Sequence, residues 1–236
     1  MTFDQATYDV RFEWGERGVT TLGPVSAVLI IVDVMSFSTC VTVAAARGAT
    51  VYPYQWRDDS SAGFARSIGA ELAGPRGSTG YSLSPASLVG IPAGTRLVLP
   101  SPNGSSLTLL AGDTAVWAGC LRNAQAVADA AARVNGPIAV IGAGERWKDD
   151  GSLRPAYEDL IGAGAIISHL PGWRSPEAQM TVDAFEAARP TLLTRLCDCL
   201  SGRELIELGF ESDVQIISEL DADSCVPVMS CGAYRA

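Results

Sequence analysis

Histidine is almost absent from these 236 residues, His169 being the single example. It stands near the end of a helical pattern, in ISHLPG, where a surface position beside a helix C-terminus is the ordinary reading. A nucleophilic triad built on histidine would have to use that residue, and nothing around it supports one. Cysteine is present but unpaired in pattern: Cys40, Cys120, Cys225 and Cys231 are scattered, and Cys197 and Cys199 form a C-x-C within a helical stretch. Without C-x-x-C pairs or a histidine cluster, structural zinc is not expected. Positive charge is also scarce. Seventeen Lys and Arg against 26 Asp and Glu leave a net charge of −9 and no basic stripe, which argues against a nucleic-acid partner. The longest apolar run, 27–32, is far too short to span a bilayer, and the opening MTFDQATYDV lacks a charged-then-apolar signal pattern. The expectation is a cytoplasmic enzyme with no membrane partner.

What is present begins with AVLIIVDVMSFSTCVTVAAARG over 27–48. Val28 to Val32 form a continuous aliphatic run, as in a strand covered by helices on both faces. Asp33 follows it, and Ser36, Ser38 and Thr39 supply hydroxyls at the start of the next helix. Ligands of open α/β sheets bind beyond the carboxyl ends of strands, and helix starts attract anions, so this junction suits anion chemistry. Taken alone, Asp33 would more often be a helix cap.

The rest of the chain repeats the rhythm. Tyr8, Val10, Phe12 and Trp14 alternate with polar residues, predicting a half-buried strand at a sheet edge, antiparallel to its neighbour. Helices are expected over 39–47, 62–72, 105–110, 124–134 and 156–169, and strands over 50–54, 96–99, 114–118 and 137–141. The segment GPRGSTGYSLSPASL is too rich in Gly, Ser and Pro for regular structure. This alternation predicts an α/β fold: a three-layer α/β/α sandwich with a mixed, largely parallel sheet. From residue 175 the pattern turns mostly helical, with Val226 and Val228 as a last strand. No linker isolates 175–236, so the chain reads as one domain over 1–236, with that part packed on the sheet.

Four features lie at strand ends or in the helix that follows: Asp33, the loop Ser101-Pro102-Asn103-Gly104, the stretch from Gly142 to Glu145, and Glu158-Asp159. Asn103-Gly104 is a turn dipeptide whose backbone amides can face an anion. Gly142-Ala143-Gly144 permits close approach to a ligand, but it is no dinucleotide fingerprint, because position 147 is Trp where a third glycine is needed. Carboxylates without His or Cys neighbours favour a hard ion, and Asp33, Glu145 and Asp159 would suffice for magnesium.

In order, these pieces resemble the 2-phosphosulfolactate phosphatase family, magnesium-dependent acid phosphatases of an α/β/α fold known from coenzyme M synthesis. The resemblance rests on EWG at 13–15, VDVMSFST at 32–39, SPNGSS at 101–106, GCLRNAQAVA at 119–128, GAGERW…DGSLRPAYEDLIGAGAI over 142–166, and VPVM at 226–229. It implies hydrolysis of a small phosphorylated acid with magnesium, at a site among Asp33, Asn103, Gly104, Glu145, Glu158 and Asp159. Asp33 would be metal ligand or nucleophile, and Glu145 or Glu158 a general base. Phosphate contacts would come from Ser36, Ser38, Thr39, Arg76, Ser101, Asn103 and Gly104. Where the family commonly has an arginine shortly after the aspartate, this chain has Ser36, and Arg76, Arg122 or Arg146 would have to restore the cation. A non-catalytic anion-binding protein on the same fold is the alternative reading. A homo-oligomer is compatible with the exposed edge near Tyr8 to Trp14.

Overall fold

The computed structural model describes residues 3–55 and 58–236. In chain order the elements are β1 (Val10–Trp14), α1 (Gly15–Leu22), β2 (Val28–Val32), α2 (Phe37–Ala46), β3 (Thr50–Tyr54), α3 (Asp59–Ser67), β4 (Glu71–Leu72) and β5 (Arg96–Pro100). There follow α4 (Gly104–Leu110), β6 (Val116–Gly119), α5 (Ala124–Ala131), β7 (Ile138–Gly142), β8 (Glu145–Arg146), β9 (Leu153–Arg154) and α6 (Tyr157–His169). The C-terminal part holds α7 (Pro176–Ala188), α8 (Leu192–Asp198), α9 (Leu200–Glu207), α10 (Glu211–Ile217), β10 (Val228–Ser230) and β11 (Ala233–Arg235).

One sheet of nine strands runs in the order β1-β7-β2-β6-β10-β11-β3-β5-β4. Two parallel blocks, β1-β7-β2-β6 and β3-β5-β4, are joined by the antiparallel β10-β11 hairpin. The sheet is therefore mixed and largely parallel, as expected. The C-terminal hairpin closes the gap between the blocks, so the last strand is an integral part of the sheet.

β2 explains why the layers form. All five of its residues are fully buried. Val28, Ile30 and Val32 face a core shared with Val127 of α5 and Ile166 of α6, while Leu29 and Ile31 face Val41 of α2 and Leu107 of α4. A strand with no polar face can rest only between two helical layers. Each such side chain stabilises the fold by about 1.5–3 kcal/mol.

Two local expectations are corrected. β1 is an edge strand but runs parallel to β7, because α1 directly after Trp14 carries the chain away instead of a hairpin. The helix expected over 62–72 ends at Ser67, and Glu71–Leu72 pair with β5 instead: Gly69, at φ +61°, turns the chain back towards the sheet. Among the described residues, no helix is long and apolar enough to cross a membrane.

Candidate active site

Asp33 leaves the end of β2 and is only 5 % exposed. One carboxylate oxygen accepts the Gly104 amide at 3.0 Å, and the other accepts the Ser36 hydroxyl at 2.8 Å. Gly104 begins α4 after β5, a strand remote from β2 in the sheet order, so the three-residue turn between β5 and α4 brings its amide across the strand ends to Asp33. Only glycine permits this approach. A Cβ at position 104 would lie 2.3 Å from Cδ1 of the fully buried Phe37.

Asp159, in the first turn of α6, fastens two loops together. Its oxygens accept the Val34 amide at 2.7 Å and the Gly144 amide at 2.8 Å, tying the ends of β2 and β7. Gly144 has φ +66°, and a Cβ there would lie 2.9 Å from the Arg154 carbonyl, so the turn requires glycine. Burial pushes the carboxyls of Asp33 and Asp159 above the ordinary range; neighbouring acids reinforce this, and the bonds to backbone amides oppose it.

Glu145 stands on β8 and accepts Asn103 Nδ2 at 3.1 Å. Burial, followed by the charge of Asp33, raises its carboxyl to about 7. It lines a cavity of about 210 Å³ with Met35, Ser36, Arg76 and Leu83, and another of about 200 Å³ with Asn103 and Arg146. Glu158 is 2 % exposed, forms part of the lining of a third cavity, and accepts the Cys199 thiol at 3.5 Å.

The structure thus gathers Asp33, Asn103, Gly104, Glu145 and the Glu158-Asp159 pair at one end of the sheet. Other expected contacts are assigned differently. Ser38 and Thr39 are fully buried, and their hydroxyls donate to the Ile31 and Val34 carbonyls at 2.8 and 2.6 Å, so they brace the β2-α2 junction. The Gly104 amide faces the Asp33 carboxylate, and the buried Ser101 gives its amide to Tyr54 at 3.0 Å. Ser36, the half-buried member of its segment, reaches the cavity. Asp159, expected as a metal ligand, holds backbone with both oxygens.

The three arginines expected to replace the missing cation are all engaged. Arg76 pairs with the fully buried Asp213 and donates to the Met35 and Leu83 carbonyls, Arg122 pairs with Glu219 and Asp223, and Arg146 pairs with Glu16. Arg76 is therefore a clamp on the loop after Asp33. Its anchor Asp213, which also accepts the Ser84 hydroxyl at 2.6 Å and the Ala86 amide at 3.1 Å, had no signal in the sequence beyond a helical acid. His169 lies in the last turn of α6, about 15 Å along the helix from the acids of its first turn.

Among the described residues, no three His, Cys, Asp or Glu side chains converge into a ready-made metal cage. The donor set still fits magnesium. Its oxygens are hard, and that ion is held through one or two carboxylates with water and a substrate phosphate completing its shell.

Carboxylates gather beyond the strand ends of a layered α/β sheet, next to small cavities, and the chain's matches place it among the phosphoric monoester hydrolases. Residues 19–232 match the sequence pattern of the 2-phosphosulpholactate phosphatase family, and the chain belongs to that family. It is 31% identical over 211 residues to a probable 2-phosphosulfolactate phosphatase of Carboxydothermus hydrogenoformans, covering 84% of each chain. It is 30% identical to the 2-phosphosulfolactate phosphatase of Methanothermobacter thermautotrophicus over 88% of each chain.

Proposed function

We propose that this protein is a magnesium-dependent phosphatase acting on a small phosphomonoester that carries further acid groups, of the 2-phosphosulfolactate kind its relatives are named for. The observation that carries this reading is Asp33, a buried carboxylate with both oxygens fixed, beside Glu145 with a carboxyl near neutral pH. Magnesium, when bound, neutralises phosphate charge and polarises the phosphorus–oxygen bond. Asp33 and Glu145 are the residues that would hold it: Glu145 lines the cavity with Ser36, and Asp33 beside it keeps lone pairs beyond its bonds to Gly104 and Ser36.

The protein's own groups supply the rest. Gly104 and Ser36 hold Asp33 in a single orientation, so no reorganisation is needed when substrate arrives. Ser36 lines the cavity with its hydroxyl proton committed to Asp33, so it orients that carboxylate beside the space a phosphate would fill. Without the metal, burial and the Asp33 charge hold the Glu145 carboxyl near 7; beside a bound cation it would be ionised, the form that can take a proton from water. Asp159 keeps the β2 and β7 loops at a fixed spacing, and Arg76 fixes the turn after Asp33.

The test is Asp33→Asn. Its carbonyl can still accept the Gly104 amide and its NH2 can donate to the Ser36 oxygen, so the fold should persist. Phosphate release from p-nitrophenyl phosphate should fall by at least about 1,000-fold, equivalent to about 4 kcal/mol of lost transition-state stabilisation. Retained turnover would sink the assignment. Saturable binding of phosphorylated acids by a wild-type protein that releases no phosphate would favour the non-catalytic alternative.

A further inference from the structure

The β8-β9 ribbon pairs Glu145 directly opposite Arg154. Cross-strand partners project on the same face with their Cβ atoms about 5 Å apart, so a cation stands next to the acidic centre. Among the described residues, Arg154 has no carboxylate within ion-pair distance. Its guanidinium lies 6.0 Å from the Trp147 ring centroid, with one nitrogen 3.4 Å from the Ser201 hydroxyl. It lines a cavity of about 630 Å³ together with Glu145, and an adjoining one of about 470 Å³ with Arg195 of α8 and Glu158. Among the described residues Arg195 likewise has no ion-pair partner, and its Nε donates to the Thr191 hydroxyl at 3.1 Å. The acids of this second cavity are already engaged: Asp198 pairs with Arg203 at 3.5 Å, and Glu158 lies deep, beneath the Cys199 thiol. Two unpaired arginines from separate elements, in a volume typical of small-molecule sites, make a receptor for an acid group.

We propose that Arg154, assisted by Arg195, determines specificity by receiving a second acid group, carboxylate or sulfonate, of the substrate whose phosphate is handled at Asp33. This rests on the phosphatase reading above, and it explains how a chain with Ser36 in place of the usual arginine recognises an acidic ester. The cation sits on the strand paired with Glu145's, on the same face, instead of on the loop after Asp33.

The test compares 2-phospholactate with p-nitrophenyl phosphate, which lacks the acid group. Wild-type protein should prefer the phospholactate in kcat/KM, and Arg154→Gln should reduce that preference at least fivefold, chiefly through KM, with Arg154→Lys recovering part of it. Arg195→Gln, at an exposed position, should reduce the preference at least twofold and keeps the test decisive if Arg154→Gln does not fold. No preference in the wild type, or a smaller change in both variants, overturns the proposal. If the wild type releases phosphate from neither compound, the phosphatase reading fails, and calorimetry with malate and 3-sulfolactate then tests the subsite by itself. Binding that weakens at least fivefold in Arg154→Gln supports it, with the tighter ligand identifying the preferred group; equal or absent binding overturns it.

Discussion

Replacing Glu145 by Gln should stabilise the protein in a strictly pH-dependent way. Burial and the Asp33 charge raise the Glu145 carboxyl from 4.5 to about 7. Below pH 4.5 the proton is bound in both folded and unfolded chains, so the acid costs nothing relative to Gln. As pH rises from 4.5 to about 7, the unfolded chain releases the proton while the folded protein retains it, and stability falls. Above about 7 the penalty is complete, at about 3 kcal/mol from the displacement of the carboxyl. Gln keeps the carbonyl oxygen that accepts Asn103 Nδ2, so the one hydrogen bond survives. For a chain of this size 1 kcal/mol moves Tm by roughly 2–4 °C, so the variant should melt about 6–12 °C above wild type at pH 8.5. The two should melt together at pH 4. The assay is thermal unfolding with a chelator present across that range. A Tm difference that does not change with pH would refute the reasoning, because it would show that Glu145 is not held protonated by its surroundings.

Other substitutions separate positioning from chemistry. Gly104→Ala drives a methyl to 2.3 Å from Phe37 and pushes the loop off Asp33; a loss of about 1–3 kcal/mol in denaturant unfolding and at least a tenfold fall in phosphate release should follow. Asp213→Ala strands the Arg76 guanidinium, 16% exposed, and leaves the Ser84 hydroxyl and Ala86 amide without their acceptor, so urea titration should show a loss of about 3–5 kcal/mol. Magnesium at a hundred times its dissociation constant should stabilise wild type by about 2.7 kcal/mol in thermal unfolding, and Asp33→Asn should lose most of that shift.

Much of the scaffold was legible because hydrophobic pattern and local propensity decide it. The run Val28 to Val32 had to be doubly covered, Ser175-Pro176 opened α7 as a cap and first helical residue, and the strand at 50–54 matched to the residue. Local pattern could not give the orientation of β1, which depended on an eight-residue helix compressed between Trp14 and Gly23. Nor could it show Glu71–Leu72 joining the sheet, since a two-residue strand has almost no period of its own.

The sequence by itself determined the layered α/β class, the family, and the presence of carboxylates at the strand ends, because each of these is written in contiguous residues. Tertiary structure alone decided which partner each group takes. It turned the Gly104 amide towards Asp33 across 71 positions of chain, bound the hydroxyls of Ser38 and Thr39 to backbone, and engaged Arg76, Arg122 and Arg146 in ion pairs. It also left Arg154, among the described residues, without a carboxylate at ion-pair distance. A hydrogen bond or an ion pair forms within a few ångströms in space, and proximity across distant segments is set by packing, which no local pattern records.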